Sequence, residues 1–187
     1  MLRVIAGEHK GRKLLAPSGK SCRPTLDRVK ESIFNVLGAD VIDRRALDLF
    51  CGSGSLGIEA LSRGAASATF IDSEKESIEI VKNNLAALGL EKRATYILGD
   101  VFKIAKIAPS GNFDLVFADP PYDHQYGERI MALLLSQGIL DDGGIFILER
   151  FRKEQVVPIS MDLLKCLKFG QTEVDFFLRP KENNGRS

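Results

Sequence analysis

Between residues 46 and 149 the chain alternates short apolar runs with amphipathic stretches, and this alternation restricts the folds open to it. The runs Ala46-Leu47-Asp48-Leu49-Phe50, Ala68-Thr69-Phe70-Ile71, Ala94 to Leu98, Phe113 to Ala118 and Ile145 to Glu149 have strand length and little polar alternation. Strands of that kind are buried on both faces. Between them lie helix patterns: one through Ile58, Ala60 and Leu61, one over 74–88 closed by Gly89, a short one through Phe102 to Ile107, and one over 126–137 ended by Gly138. The second carries Ile78, Val81, Leu85 and Leu88 on one face. Strand–helix–strand repetition predicts a parallel sheet with helices on both faces. Upstream, Thr25 is the expected N-cap of a further helix with the stripe Leu26, Val29, Ile33, Phe34 and Leu37. Downstream, Asp141 to Gly144 reads as a turn, 160–167 as helix or strand, and Glu173 to Leu178 as a strand. The last two would complete the sheet with an antiparallel edge.

One strand ends in an unusual way. After Phe113-Asp114-Leu115-Val116-Phe117-Ala118 comes Asp119-Pro120-Pro121-Tyr122. The two prolines remove two backbone donors and restrict the residues before them. The chain therefore leaves the sheet in a stiff, extended segment that begins with an acid and ends with an aromatic ring. In an open α/β sheet ligands bind outside the carboxyl ends of the strands. An acid, two free carbonyls and a ring there could hold a planar base by its amino group. The same residues also suit a plain proline turn with a solvated Asp.

Gly52-x-Gly54-x-x-Gly57 matches the dinucleotide fingerprint, and Asp72 stands twenty residues after Gly52, where a ribose-binding acid belongs. An NAD-type enzyme is therefore one reading. The surrounding charge argues for another. Asp48, Asp72, Asp100 and Asp119 all fall at or near strand ends. Facing a pyrophosphate with four acids is costly, since two unit charges ~4 Å apart interact by roughly 4 kcal/mol at an effective dielectric of ~20. S-adenosylmethionine has no phosphate; it offers a sulfonium, an ammonium and a ribose diol. Acids by the glycine loop suit its cationic end, Asp72 the diol, and Asp100 with the Val101 backbone the adenine. Asp100 equally suits a helix cap.

Charge is unevenly spread. The net charge is +1 over 187 residues, yet residues 1–30 hold eight Lys or Arg and two acids, leaving a net −5 on the remainder. A basic front on an acidic body points to an anionic partner. The apolar runs 2–6 and 12–16 flank Gly7-Glu8-His9-Lys10-Gly11 and predict a β-hairpin or a looser turn. Lys10, Arg12 and Lys13 at or beside its tip are candidate phosphate contacts. Arg23, Thr25 and Arg28, near the next helix start, are surface residues or a lip over the site. Three dispersed cysteines suggest neither a zinc site nor a disulfide framework. No stretch approaches a membrane span, and the first residues lack a signal-peptide layout. A monomeric cytoplasmic protein is expected, with a basic N-terminal extension over 1–23, a main domain over 24–180 and a polar tail over 181–187.

With these residues in hand, the chain resembles class I methyltransferases and, within them, the RsmD family. Asp48-Leu49-Phe50-Cys51-Gly52-Ser53-Gly54 resembles their cofactor loop, and Asp119-Pro120-Pro121-Tyr122 their (D/N)PP(Y/F) motif. Arg3-Val4-Ile5-Ala6-Gly7, with Lys10-Gly11-Arg12-Lys13-Leu14, resembles the family's opening. Arg23-Pro24-Thr25-Leu26-Asp27-Arg28-Val29-Lys30-Glu31 resembles its RPTxDRVRE segment. The similarity runs from residue 3 to about 178. Cys51 departs from a common Ala and Lys30 from a common Arg.

The resemblance implies a Rossmann-like, seven-stranded, mostly parallel sheet with a small N-terminal hairpin. It implies transfer of a methyl group from S-adenosylmethionine to N2 of one guanine of 16S rRNA, at the position usually numbered 966. Asp48, Phe50, Gly52 and Gly54 would contact the cofactor, as would Asp72, Asp100, Val101 and Asp119, with Thr25 from the lip. Asp119, Pro120 and Tyr122 would act on the base, without a metal. Arg3, Lys10 and Arg12 would meet RNA, together with Lys13, Arg23 and Arg28. The rival activities are adenine-N6 or protein-glutamine methylation. The rival of another class is a non-catalytic rRNA-binding assembly protein.

Overall fold

The computed structural model describes residues 2–17, 24–106, 112–121 and 126–181, with the side chains of 24–26 and 104–106 left aside. Seven strands form one sheet: β1 (Arg45–Leu49), β2 (Ser67–Asp72), β3 (Ala94–Leu98), β4 (Phe113–Ala118), β5 (Leu140–Phe151), β6 (Asp162–Phe169) and β7 (Thr172–Leu178). Their order is β3-β2-β1-β4-β5-β7-β6. The first five are parallel, and β7 runs antiparallel to both β5 and β6. The strand order reverses between β1 and β4, so the crevice above those two strands is where this topology receives a ligand.

Four α-helices cover the sheet: α1 (Pro24–Leu37), α2 (Ser55–Ser62), α3 (Lys75–Leu88) and α4 (Gly127–Ser136). Strand alternation sorts the core into two layers. Leu115 and Phe117 of β4 pack with Val29, Ile33 and Phe34 of α1, Ile58 and Leu61 of α2, and Val81 and Leu85 of α3. Val116 and Ala118, one residue over, pack with Ile130, Met131 and Leu134 of α4.

The structure corrects the sequence reading at several places. α1 begins at Pro24, so Thr25 lies inside the first turn and is not the N-cap. Proline is well suited to a first helical position, where its missing N–H has no partner to lose. Residues 160–167, left open between helix and strand, belong mostly to β6. Asp141 to Gly144 is not a turn but part of β5, because Gly143 donates to the Arg179 carbonyl (2.8 Å) and Arg179 donates back to Gly144 (3.0 Å). The irregularity is absorbed as a register shift against β4 between Phe113 and Leu115. The short helix after β3 is a 3-10 segment, Val101–Lys106.

The N-terminal segment is the looser of its two predicted forms. A single antiparallel bridge joins Arg3 to Lys13, backed by Val4 N–H to Arg12 carbonyl and Leu14 N–H to Leu2 carbonyl, each 2.9 Å. Leu2, Val4 and Leu14 are buried in the same core layer as α1, α2 and α3.

Candidate active site

Asp48, near the end of β1, is 2% exposed, and its Oδ2 accepts from the Gly57 N–H at 2.9 Å. Burial lifts its pKa to about 8; the Gly57 hydrogen bond pulls it down, and the charges of Asp119 and Asp72 push it up again. Asp119 and Asp72 are thus both close enough to act on Asp48. Acids so grouped at the ends of β1, β2 and β4 favour a cation beside them.

Asp72, at the end of β2, spends both oxygens on backbone: Oδ2 accepts from Gly52 (2.8 Å) and Oδ1 from Glu74 (2.9 Å). It therefore holds the glycine loop against the start of α3. Asp100 stands apart from the other three. Its Oδ1 accepts from the Phe102 N–H (2.9 Å), and Lys103 lies 3.6 Å from Oδ2, so it caps the 3-10 segment. Val101 beside it is buried. Asp119 follows β4 directly and is half-buried, Pro120 is buried and Pro121 exposed. Tyr122 and Arg23 lie outside the described residues, as does the Thr25 side chain.

The glycines of the loop serve internal packing. Gly54 has φ +73, and a Cβ there would lie 2.9 Å from Val81 and 3.2 Å from Phe70. A Cβ on Gly57 would lie 2.4 Å from the Phe70 ring. The loop can thus settle onto the buried ring of Phe70, which fixes where α2 begins.

Phe50 has φ +56, a costly conformation for a bulky residue that tends to persist where function requires it. Its ring stacks on Tyr126 at 5.7 Å between centroids (13° between planes) and meets Phe102 edge-on at 6.3 Å. Phe102 and Tyr126 are themselves 5.0 Å apart, and the Arg129 guanidinium lies 3.7 Å over the Phe102 ring. Sequence reading selected Phe50 but neither Phe102 nor Tyr126, which come from separate connections.

The N-terminal arm is held by three buried polar side chains that sequence reading also missed. Glu59 of α2 accepts from the N–H groups of Ile5 (2.8 Å) and Ala6 (2.9 Å), and pairs with Arg63 (2.8 Å) and Lys30 of α1 (3.6 Å). Ser62 Oγ accepts from His9 N–H and donates to the Ala6 carbonyl. Asn84 of α3 bonds both backbone groups of Leu15 and donates to the Ser53 carbonyl of the glycine loop. The tip of the arm lies at the last turns of two helices: Glu8 donates to the Ser62 carbonyl, and Arg12 to the Ala87 carbonyl. Those helix ends point to the amino edge of the sheet, so Lys10 and Arg12 are not brought beside Asp119. Lys13 is exposed, Arg3 pairs with Asp27 at 3.2 Å, and Arg28 is exposed in the first half of α1.

Comparison with known proteins supplies the decisive observation. A family model described as Conserved hypothetical protein 95 matches residues 2–178. Ribosomal RNA small subunit methyltransferase D of Escherichia coli K12 is 38% identical over 189 residues, covering 100% of this chain and 93% of that protein. The protein of the same name from Haemophilus influenzae is 36% identical, covering 88% of this chain and 86% of that one. The chain belongs to the RsmD family. Among solved structures, yhhF from Escherichia coli superposes with a TM-score of 0.85 at 34% identity, covering 96% of this chain and 98% of that one. The Thermus thermophilus 16S rRNA N2 G1207 methyltransferase, solved with AdoMet and guanosine, has the same fold (TM-score 0.69, 20% identity, 88% of this chain and 45% of that one).

Within this RsmD-family chain the fold is that of a class I methyltransferase, as the resemblance implied. The charged anchors of the arm escaped sequence reading for a physical reason. Glu59 and Asn84 sit in helical segments whose polar positions ordinarily face solvent, and only the arm, far away in sequence, makes them interior.

Proposed function

We propose that this protein transfers a methyl group from S-adenosylmethionine to the exocyclic N2 of a guanine in 16S rRNA, at the position numbered 966. The observation that carries the reading is the placing of acids at the ends of β1, β2 and β4 around the switch point, with Asp119 and Asp72 both acting on the buried Asp48, which favours a cationic ligand beside the Asp119-Pro120-Pro121 segment. The names of the full-length relatives support rRNA as the acceptor.

The donor set fits the cofactor. Asp48 and Asp119 would hold its cationic end, Asp72 its ribose diol, and Asp100 with the Val101 backbone its adenine, while Phe50, Gly52 and Gly54 would shape the loop around it and Thr25 would contribute from the lip. When bound, S-adenosylmethionine supplies an electrophilic methyl on a sulfonium. The rest is the work of the chain. A guanine N2 lone pair is delocalised into its ring, so the amine is a weak nucleophile that must be aimed. Asp119 and the Pro120 carbonyl accept its two N–H bonds, which orients the nitrogen and stabilises positive charge developing on it. Tyr122 stacks on the base, worth about 1–3 kcal/mol. The target base reaches this site unpaired or flipped out. Asp119 or water takes the proton that leaves. Arg3, Lys10 and Arg12, with Lys13, Arg23 and Arg28, contribute to RNA binding, the arm-tip members at a distance from the target base. The protein acts as a monomer in the cytoplasm.

The test is labelled-methyl transfer to unmethylated small subunits and to naked 16S rRNA, with the modified base mapped. The expected product is N2-methylguanine; any other methylated base overturns the assignment. Asp119→Ala is expected to lose transfer even at saturating cofactor, and near-normal turnover by that variant would exclude the role given to Asp119.

A further inference from the structure

The arm tip points to the amino edge of the sheet, so RNA held only there would lie far from Asp119. α2 alone spans eight residues, about 12 Å at 1.5 Å per residue, between the glycine loop and the Ser62 anchor. Something nearer must hold the strand on either side of a base presented to Asp119. The register of the sheet shows where such a surface exists.

Ala118, the last residue of β4, is paired with Leu148 of β5, and β5 continues for three more residues to Phe151. This extension rises about 10 Å above the level of Ala118, at ~3.3 Å per residue. Beside it, Arg150 pairs with Glu173 of β7, and Glu173 pairs with Lys168 of β6. The turn between β6 and β7 therefore stands at the same end of the sheet as Asp119. Arg150 and Glu173 share the face on which α4 packs, because Leu148 and Phe146, at even spacing along β5, contact that layer. α4, the next described helix after the Asp119-Pro120-Pro121 segment, packs on this face. Counting strands from β4 to β6 gives a lateral separation of about 14 Å, at ~4.8 Å per strand.

The charge on this rim is layered. Glu173 lies beneath it, its side chain 9% exposed, with Oε2 on Arg150 (2.7 Å) and Oε1 3.7 Å from Arg152 and 3.9 Å from Lys168. Arg150 is already neutralised by Asp175 at 2.6 Å. Arg152 and Lys168 are 58% and 65% exposed, and Lys153 beside them is exposed too. In the stretches 150–154 and 168–173 the two acids, Glu154 and Glu173, are both buried, so the outer charge is cationic throughout. Arg152 also donates its backbone N–H to the Gln171 carbonyl at 2.7 Å, which ties the two cationic segments together. A buried carboxylate beneath two exposed cations holds them close to one another, near one side of the crevice.

We propose that Arg152, Lys153 and Lys168 form a phosphate-binding surface on the carboxyl rim of β5–β7, which grips the RNA strand flanking the base presented to Asp119. The proposal rests on RNA being the substrate, as argued above, and adds a second contact region separate from the arm.

The test is binding of the full-length protein to naked 16S rRNA over a series of salt concentrations. Each phosphate contact on single-stranded RNA contributes about 0.7 to the slope of log K against log salt. Arg152→Gln/Lys153→Gln/Lys168→Gln is expected to bind at least tenfold more weakly, with the slope reduced by about 2. Its KM for rRNA should rise while kcat at saturating RNA holds. Glu173 retains Arg150 in this variant, so the fold should persist; Lys153→Glu, at an exposed position, gives a second variant expected to weaken binding on its own. Affinity and slope unchanged in both variants overturn the surface. Methyl transfer by the unsubstituted protein is measured alongside. Absence of transfer strikes the functional reading while the salt slopes still read the surface; transfer with unchanged variant binding strikes the surface alone; failure of the unsubstituted protein to bind RNA overturns both.

Discussion

The side-chain amide of Asn84 is fully matched to the backbone of Leu15: its Oδ1 accepts the Leu15 N–H at 2.7 Å, and its Nδ2 donates to the Leu15 carbonyl at 3.1 Å. The same Nδ2 reaches the Ser53 carbonyl at 3.0 Å. One buried amide in α3 thus joins the end of the N-terminal arm to the glycine loop. Glu59 makes a second link, from the middle of α2 to the start of the arm. The arm and the loop are therefore parts of one rigid arrangement, and disturbing either should be felt by the other.

Asn84→Ala is expected to remove three part-buried hydrogen bonds, to the Leu15 N–H, the Leu15 carbonyl and the Ser53 carbonyl, each contributing about 1 kcal/mol. Denaturant unfolding should register this loss, and titration with S-adenosylmethionine should show weaker binding, because the loop loses its tether. A variant with unchanged stability and affinity would remove Asn84 from this role.

Glu59→Ala removes the carboxylate beside the buried Lys30 ammonium, which also donates to the Arg3 carbonyl at 2.6 Å. Removing one partner of a buried pair typically costs about 3–5 kcal/mol. The loss should concentrate on the arm, so hydrogen exchange at the Ile5 and Ala6 amides is expected to accelerate more than exchange in β4. Uniform acceleration across the sheet would argue against a local anchor.

Much of the fold was legible because its signals are local. The apolar runs that became β1 to β5, the stripe on α3 and the proline stop after β4 each carry their own physical reason within a few residues. Asp48, Asp72 and Asp119 stood out as candidates for the same reason, since each closes or nearly closes a strand or follows one directly. Asp100 was read both as an adenine contact and as a helix cap, and its carboxylate makes the local capping bond to the 3-10 segment that follows, of the kind Asp commonly makes. The aromatic group of Phe50, Phe102 and Tyr126 could not be read, because its members meet only when β1, β3 and α4 are assembled. The direction of the arm was equally hidden, since nothing in Lys10-Gly11-Arg12-Lys13 tells which end of α2 will receive it.

Gly57→Ala is expected to damage loop and core together. The added methyl would meet the Phe70 ring at 2.4 Å and approach Asp48 Oδ2 at 3.2 Å, and Phe70 has no exposed side to which it can yield. Overpacking of this kind costs about 1–3 kcal/mol. Thermal unfolding should show the drop, and cofactor affinity should fall with it as the Gly57 N–H is displaced from Asp48. Unaltered melting would mean that the loop has slack absent from this packing.

Asp48→Asn separates the charge of Asp48 from its shape. In the folded protein the carboxyl is pushed up to about 8, from an ordinary value of 3.8, chiefly because it is buried. Between those two values the folded state binds the proton more tightly than the unfolded chain does. The stabilising effect of that proton is fully present below about pH 4, falls as pH rises towards 8, and is gone above it. Asparagine keeps an oxygen for the Gly57 N–H and never ionises. The variant should therefore gain stability over the unsubstituted protein progressively from pH 5 to pH 8, with the difference level at higher pH. Groups that do not act on Asp48 cancel in that difference, whereas Asp72 and Asp119, whose charges do, contribute to it. The same substitution removes one of the negative charges that favour a cationic ligand, so binding of S-adenosylmethionine at pH 8.5 should weaken while the fold becomes more stable. Chemical denaturation across this pH range, paired with the titration at its upper end, checks both signs; a stability difference that does not grow in favour of the variant between pH 5 and pH 8 would refute the assignment of a raised pKa to Asp48.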